Sequence, residues 1–181
     1  MEASAGKTIV IGIGNTIHRD DGAGVHALRK LQADSRLPGD VVLIDGGTRG
    51  IELLADLHDC SRLLLLDALD FGEEPGTMMR MTGDELRSLP CGASVHQLGL
   101  ADLLATLPLV SEAPTEVVLL GVQPARTEWG TELSPSVEAS LGQLVDVAIE
   151  QLLLWSHDAA AGQGSPAKRP GYPVSDWCGN H

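Results

Sequence analysis

The chain is short of positive charge. Lys and Arg number 12 against 25 Asp and Glu in 181 residues, a formal net charge of −13. That balance makes nucleic acid and anionic membrane surfaces poor partners and suits a basic peptide or a cation. The imbalance is concentrated late, where residues 127–167 carry six acids and no Lys or Arg. Cysteine is also scarce. Cys60, Cys91 and Cys178 are far apart, odd in number and without a C-x-x-C pair. They form neither a disulfide framework nor a zinc site, and read as reduced thiols of a cytoplasmic protein. No apolar run reaches membrane-spanning length, and Met1-Glu2 lacks the basic start of a secretion signal, so no membrane insertion is expected. H-E-x-x-H, G-x-S-x-G and any plausible Cys–His pair are missing, which removes the standard hydrolase signatures. There is no internal repeat.

What is present reads as one globular domain, with 43% hydrophobic residues and enough length for a sizeable core. The organising stretch is Ile9-Val10-Ile11-Gly12-Ile13-Gly14-Asn15, followed by Asp20-Asp21-Gly22-Ala23-Gly24-Val25. A β-branched apolar run predicts a buried strand, the Gly and Asn residues break it, and Val25, Leu28 and Leu31 restart the chain as a helix. The third glycine of a dinucleotide fingerprint is absent, because Ile17 stands at its position, and two acids occupy the ground a pyrophosphate would need. Asp20 reads as a plain helix cap. Asp21 is harder to assign that way, since one cap residue suffices.

Further strands are expected at Val41-Val42-Leu43-Ile44, Leu63-Leu64-Leu65-Leu66, Thr77 to Met81 and Thr115 to Val122. The run of four Leu lacks alternation, as in a strand buried on both faces of a parallel sheet, whereas the segment at Thr77 reads as an antiparallel edge. Helices are expected over Ile51, Leu53, Leu54 and Leu57, over Leu100, Leu103, Leu104 and Leu107, and over Val137, Leu141, Leu144, Val145, Ala148 and Leu152. Thr82-x-x-Glu85 and Ser94-x-x-Gln97 have the form of capping boxes. Ser134-Pro135 places an N-cap before Pro at the first helical position. The expected fold is therefore α/β, a three-layer sandwich with a mainly parallel five-stranded sheet and helices on both faces. The domain is expected over residues 7–155, and residues 156–181, rich in Gly, Pro and small side chains, read as a disordered or loosely docked tail.

Asp21, Asp45 and Asp67 each follow a strand, so the sheet should gather them along its carboxyl edge, where open α/β folds place their sites. Each has a structural alternative. Asp45-Gly46-Gly47 is equally well an ordinary tight turn, and Asp67 can simply accept nearby N–H groups. His96 falls in the first turn of its helix, where the dipole favours a neutral imidazole; a surface or capping histidine is the alternative. Two carboxylates and one imidazole with open positions suit nickel or zinc.

In combination these motifs resemble the nickel–iron hydrogenase maturation endopeptidases. The resemblance rests on Gly12-Ile13-Gly14-Asn15 with Asp20-Asp21-Gly22-Ala23-Gly24-Val25, on Asp45-Gly46-Gly47-Thr48-Arg49-Gly50, and on Asp67-Ala68 with Pro75-Gly76-Thr77. It continues through Ser94-Val95-His96-Gln97-Leu98-Gly99 and Gly121-Val122-Gln123-Pro124, covering residues 7–154 in unbroken order. It implies an enzyme that removes the C-terminal extension of the hydrogenase large-subunit precursor once nickel has been inserted. It implies Asp21, Asp67 and His96 as metal ligands, the first being Glu in some relatives. It implies substrate handling by Gly46, Gly47 and Thr48, with Asp45 a candidate to activate water. The metal would be nickel delivered by the substrate, with zinc or cadmium able to substitute in crystals, and the enzyme a cytoplasmic monomer. Two other classes stay open at this stage: a non-catalytic nickel-sensing chaperone and a nucleotide-binding protein.

Overall fold

The computed structural model describes residues 6–88, 95–109 and 114–160. Five strands form one sheet in the order β2-β1-β3-β5-β4: β1 (Lys7–Ile13), β2 (Val41–Gly47), β3 (Cys60–Ala68), β4 (Met78–Thr82) and β5 (Glu116–Val122). All pairings are parallel except β4 with β5, so the antiparallel edge expected at Met78 is present. β3 lies between β1 and β5, and Leu63, Leu64, Leu65 and Leu66 are all fully buried, which is why that run shows no alternation.

Side chains of adjacent strand residues point to opposite faces, and each face carries its own core. Val10, Leu64, Leu66 and Leu120 pack under α1 (Ala23–Gln32) and α3 (Pro135–Ala160). Ile9, Ile11, Leu63, Leu65 and Leu119 pack under the 3-10 helix Gly50–Leu57 and α2 (Val95–Thr106). The three-layer sandwich follows from this division. α3 begins at Pro135, and its whole expected stripe, from Val137 to Leu152, is buried. It also runs on to Ala160, past the composition change after Trp155; residues 161–181 lie outside the described residues. Among the described residues no helix is long and apolar enough to cross a membrane.

Two local expectations change. The segment after β2 is a 3-10 helix rather than an α-helix, with Leu53 and Leu57 buried and Ile51 48% exposed. Gly50 and Leu53, both buried, stand three residues apart, a spacing that a three-residue turn satisfies. In the Thr82 capping box the Glu85 carboxylate accepts the Thr82 N–H at 2.9 Å, but the helix it opens, Gly83–Ser88, is again 3-10. The Ser94 box lies outside the described residues. Cys60 is buried, and burial pushes its thiol up to about 11, consistent with a reduced, unreactive cysteine; Cys91 and Cys178 lie outside the described residues.

One contact sets how α2 sits on the sheet. Gly50, at φ +55°, meets Gly99 backbone to backbone: a Cβ on Gly99 would stand 2.8 Å from the Gly50 Cα, and one on Gly50 2.9 Å from the Gly99 Cα. Only glycine at both positions allows α2 this close to the loop after β2. Gly99→Val is therefore expected to destabilise the fold by about 1–3 kcal/mol through forced separation of the two backbones. A thermal melt checks this, and an unchanged midpoint would show that the contact is dispensable.

Candidate active site at the carboxyl edge of the sheet

The β1 and β3 strands are neighbours, with Gly12 opposite Leu66, and the chain leaves their carboxyl ends toward opposite faces. After β1 it enters a 3-10 turn, Arg19–Gly22, and then α1; after β3, Leu69 and Phe71 join the core under α2. A crevice at such a switch point is the usual ligand position of open α/β sheets. Asp21 stands in the turn, and Asp67 is the penultimate residue of β3, against which the turn packs. Asp21 is 7% exposed, and one of its carboxylate oxygens accepts the Asn15 N–H at 3.3 Å. Asp67 is fully buried, and its Oδ1 accepts the Ala68 N–H at 2.7 Å. A carboxylate held in so dry a position is costly unless it meets donors or a cation.

Several close approaches place Asp21. Gly14 adopts φ +125°, and any Cβ there would collide with the Asp21 carbonyl oxygen. A Cβ on Gly24 would collide with the carbonyls of Ile13 and Leu66, so α1 starts hard against the ends of β1 and β3. These glycines serve close packing of turn and helix on the sheet, which accounts for a glycine-rich stretch without the nucleotide spacing.

Asp20 corrects its sequence reading. The Arg19–Gly22 turn has no side-chain cap, and the Asp20 carboxylate is fully buried elsewhere. Its Oδ2 accepts the N–H groups of Ala125 and Arg126, each at 2.9 Å, and its Oδ1 accepts that of Ser134 at 2.6 Å. The segment after β5 is thereby tied to the segment after β1. More links join them: Arg19 N–H to the Gly130 carbonyl at 2.8 Å, Gly130 N–H to that of Ile17 at 3.0 Å, and the Arg19 guanidinium to Glu128 at 3.0 Å. The His18 ring lies 4.5 Å from that of Trp129, which is 71% exposed. Arg19 itself adopts φ 47°, a left-handed conformation unusual for a side chain of its size. Such a residue costs on the order of 1–3 kcal/mol and persists only where its neighbours fix it.

Gln123 does similar work on the other side. Its buried Oε1 accepts the Phe71 N–H at 2.9 Å and the Glu73 N–H at 3.3 Å, and its amide nitrogen donates to Asp70 at 3.0 Å. The loop after Asp67 is fixed by these bonds. In the sequence Gln123 was visible only as part of a motif; a polar amide directly after a buried strand was the available signal.

Asp45 shares the edge but not the face. Its register partner is Gly12, and strand alternation puts it with Val41 and Leu43 under α1, where it pairs with Arg29 at 3.6 Å and is exposed. Asp67 alternates with Leu65 toward the face of α2. Gly46 is buried against Ile11, and Gly47, at φ +50°, gives its carbonyl to the Gly14 N–H at 2.8 Å; Thr48 is exposed. His96 occupies the first turn of α2, three residues before Gly99, so its backbone lies beside the residue 45–50 loop at the same edge. Its side chain lies outside what the structure describes. Among the described residues no three His, Cys, Asp or Glu are grouped closely enough to hold a metal ion, so Asp45 does not complete a trio with Asp21 and Asp67.

Fold and site together define an α/β protein with a recessed pair of carboxylates at the switch point of its sheet. A family model described as hydrogenase maturation protease matches residues 25–151, a span that holds Asp45, Asp67 and His96 and opens just after Asp21. The hydrogenase 2 maturation protease of Escherichia coli is 38% identical over 149 residues, covering 81% of this chain and 88% of that protein. The hydrogenase expression/formation protein HupD of Rhodobacter capsulatus is 35% identical over 160 residues, covering 86% and 76%. Among solved structures, the hydrogenase maturating endopeptidase HybD of Escherichia coli matches with a TM-score of 0.73 at 36% identity, covering 84% of this chain and 93% of that one. A maturation protease HybD of Thermococcus kodakarensis gives 0.68 at 26% identity, covering 81% and 99%. The chain belongs to the hydrogenase maturation protease family, and it is a hydrolase of the protease class.

Proposed function

We propose that this enzyme removes the C-terminal extension of a nickel–iron hydrogenase large-subunit precursor after nickel has been inserted, in the cytoplasm and as a monomer. The observation that carries the reading is that two buried carboxylates, Asp21 in the turn packed on β3 and Asp67 near the end of β3, lie at the carboxyl edge of the sheet, where α2 also starts. Nickel is cargo of the substrate. Asp21, Asp67 and His96 are proposed to engage it there, two hard oxygen donors and one nitrogen donor that suit a borderline cation. Nickel so held would supply Lewis-acid chemistry at the scissile carbonyl. The attacking water needs a base. Asp45 lies on the opposite face from Asp67 and pairs with Arg29, so we assign that proton to a ligand carboxylate, Asp21 or Asp67, which would return it to the leaving amine as the C–N bond breaks. Gly46, Gly47 and Thr48 are proposed to receive the precursor's chain, with Thr48 exposed, Gly47 half-buried and buried Gly46 seating the end of β2 against Ile11.

The test is incubation of the purified protein with nickel-loaded precursor, read by mass spectrometry. The expected result is a shortened large subunit and one released C-terminal peptide. Binding of the precursor without any shortening would make the protein a chaperone that only docks.

A further inference from the structure

We propose that Asp20 is a positioning residue for this cleavage: by holding residues 125–134 it locks the strained Arg19 turn and so fixes where Asp21 places its carboxylate. The inference rests on the processing function proposed above. Three observations carry it. Asp20 is fully buried, yet its carboxylate makes no local cap; both oxygens are used on three amides more than a hundred residues along the chain. Charge-assisted bonds of this kind are short and strong, and removing one acceptor leaves buried N–H groups unsatisfied. The residue before it, Arg19, sits at φ 47° and is held from the same segment, through the Gly130 carbonyl and Glu128. Strain of this sort, next to a functional side chain, persists only while its surroundings enforce it. The residue after it is Asp21, whose carbonyl is seated over Gly14 and whose carboxylate accepts the Asn15 N–H. A latch, a strained hinge and a ligand therefore occupy three consecutive positions. If the latch opens, the hinge can relax, and Asp21 moves first.

Two variants test this in the full chain. Asp20→Asn keeps the shape and turns one acceptor into a donor facing an N–H. Ala125→Pro, at an exposed position, deletes one of the three donors and leaves Asp20 intact. Amide hydrogen exchange reads the geometry without any substrate: exchange at Asn15 is expected to rise at least about tenfold in both variants, while Ile9, Val10 and Ile11 in β1 stay as protected as in the parent. With nickel-loaded precursor, kcat is expected to fall at least about tenfold while KM moves less than about threefold. Unchanged Asn15 exchange in the folded variants would overturn the proposal. So would a raised KM at parental kcat, which would make residues 125–134 a docking surface, or loss of cooperative melting in both variants, which would make the latch a matter of stability alone. If the parent protein itself leaves nickel-loaded precursor uncut, the processing function falls, and the exchange measurement still decides whether Asp20 fixes Asp21.

Discussion

Asp67→Asn is expected to stop processing while leaving the domain folded. The substitution is nearly isosteric and removes a charge from a site with no exposure to water. Its Oδ1 can still accept the Ala68 N–H, the 2.7 Å bond found in the parent. Neutralising a buried carboxylate that serves a substrate rather than the fold leaves stability unchanged or raises it. The loss falls on the reaction: a ligand oxygen that engages nickel is replaced by a weak, neutral donor, and cleavage should drop by at least about a thousandfold. His96→Ala is expected to act in the same way. His96 lies in the first turn of α2, a full turn before the Leu100, Leu103 and Leu107 that fill the core. Cleavage read by mass spectrometry beside a thermal melt checks both variants. Parental cleavage in either would remove that residue from the ligand set, and loss of cooperative melting would make it structural.

Much of this fold was legible in the sequence because the deciding signals are local. The Leu63–Leu66 run announced the central strand, the stripe from Val137 to Leu152 announced α3, and Thr77 to Met81 announced the antiparallel edge found at Met78–Thr82. The placement of Asp21, Asp45 and Asp67 along the carboxyl edge was legible for a related reason: once strands and helices alternate, acids at strand ends gather at one end of the sheet. What the sequence hid depends on distant partners. Asp20 looks like a cap because acids at helix starts usually are caps, and its real partners lie 105, 106 and 114 residues away. The face occupied by Asp45 was hidden for another reason. Alternation within β2 fixes which side chains share a face, but only the pairing with β1 and the position of α1 show that Asp45 and Asp67 are on different ones. The Gly50–Gly99 contact has no sequence signature, since neither glycine lies in a recognisable turn with the other.

The second large effect expected is that cleavage depends on nickel in the precursor and not on metal in the enzyme. A site that must test whether nickel has been inserted cannot already hold a cation tightly. The proposed set of Asp21, Asp67 and His96 meets that requirement. It offers three donors, none of them a thiolate, and leaves the coordination sphere incomplete. Structural zinc sites, by contrast, use four ligands, commonly include Cys, and bind metal as part of folding. Here two hydrophobic cores lie on either side of the sheet, and the domain is expected to form without metal. Free nickel or zinc should accordingly bind weakly, and full engagement should require the ligands that the precursor brings.

The most direct test of that claim is a paired cleavage assay on protein purified without added metal, with its metal content measured by elemental analysis. The expected result is a folded, nearly metal-free enzyme that shortens nickel-loaded precursor and leaves nickel-free precursor intact. Stoichiometric zinc in the purified protein, together with cleavage of nickel-free precursor, would contradict the account and make this an ordinary metalloprotease.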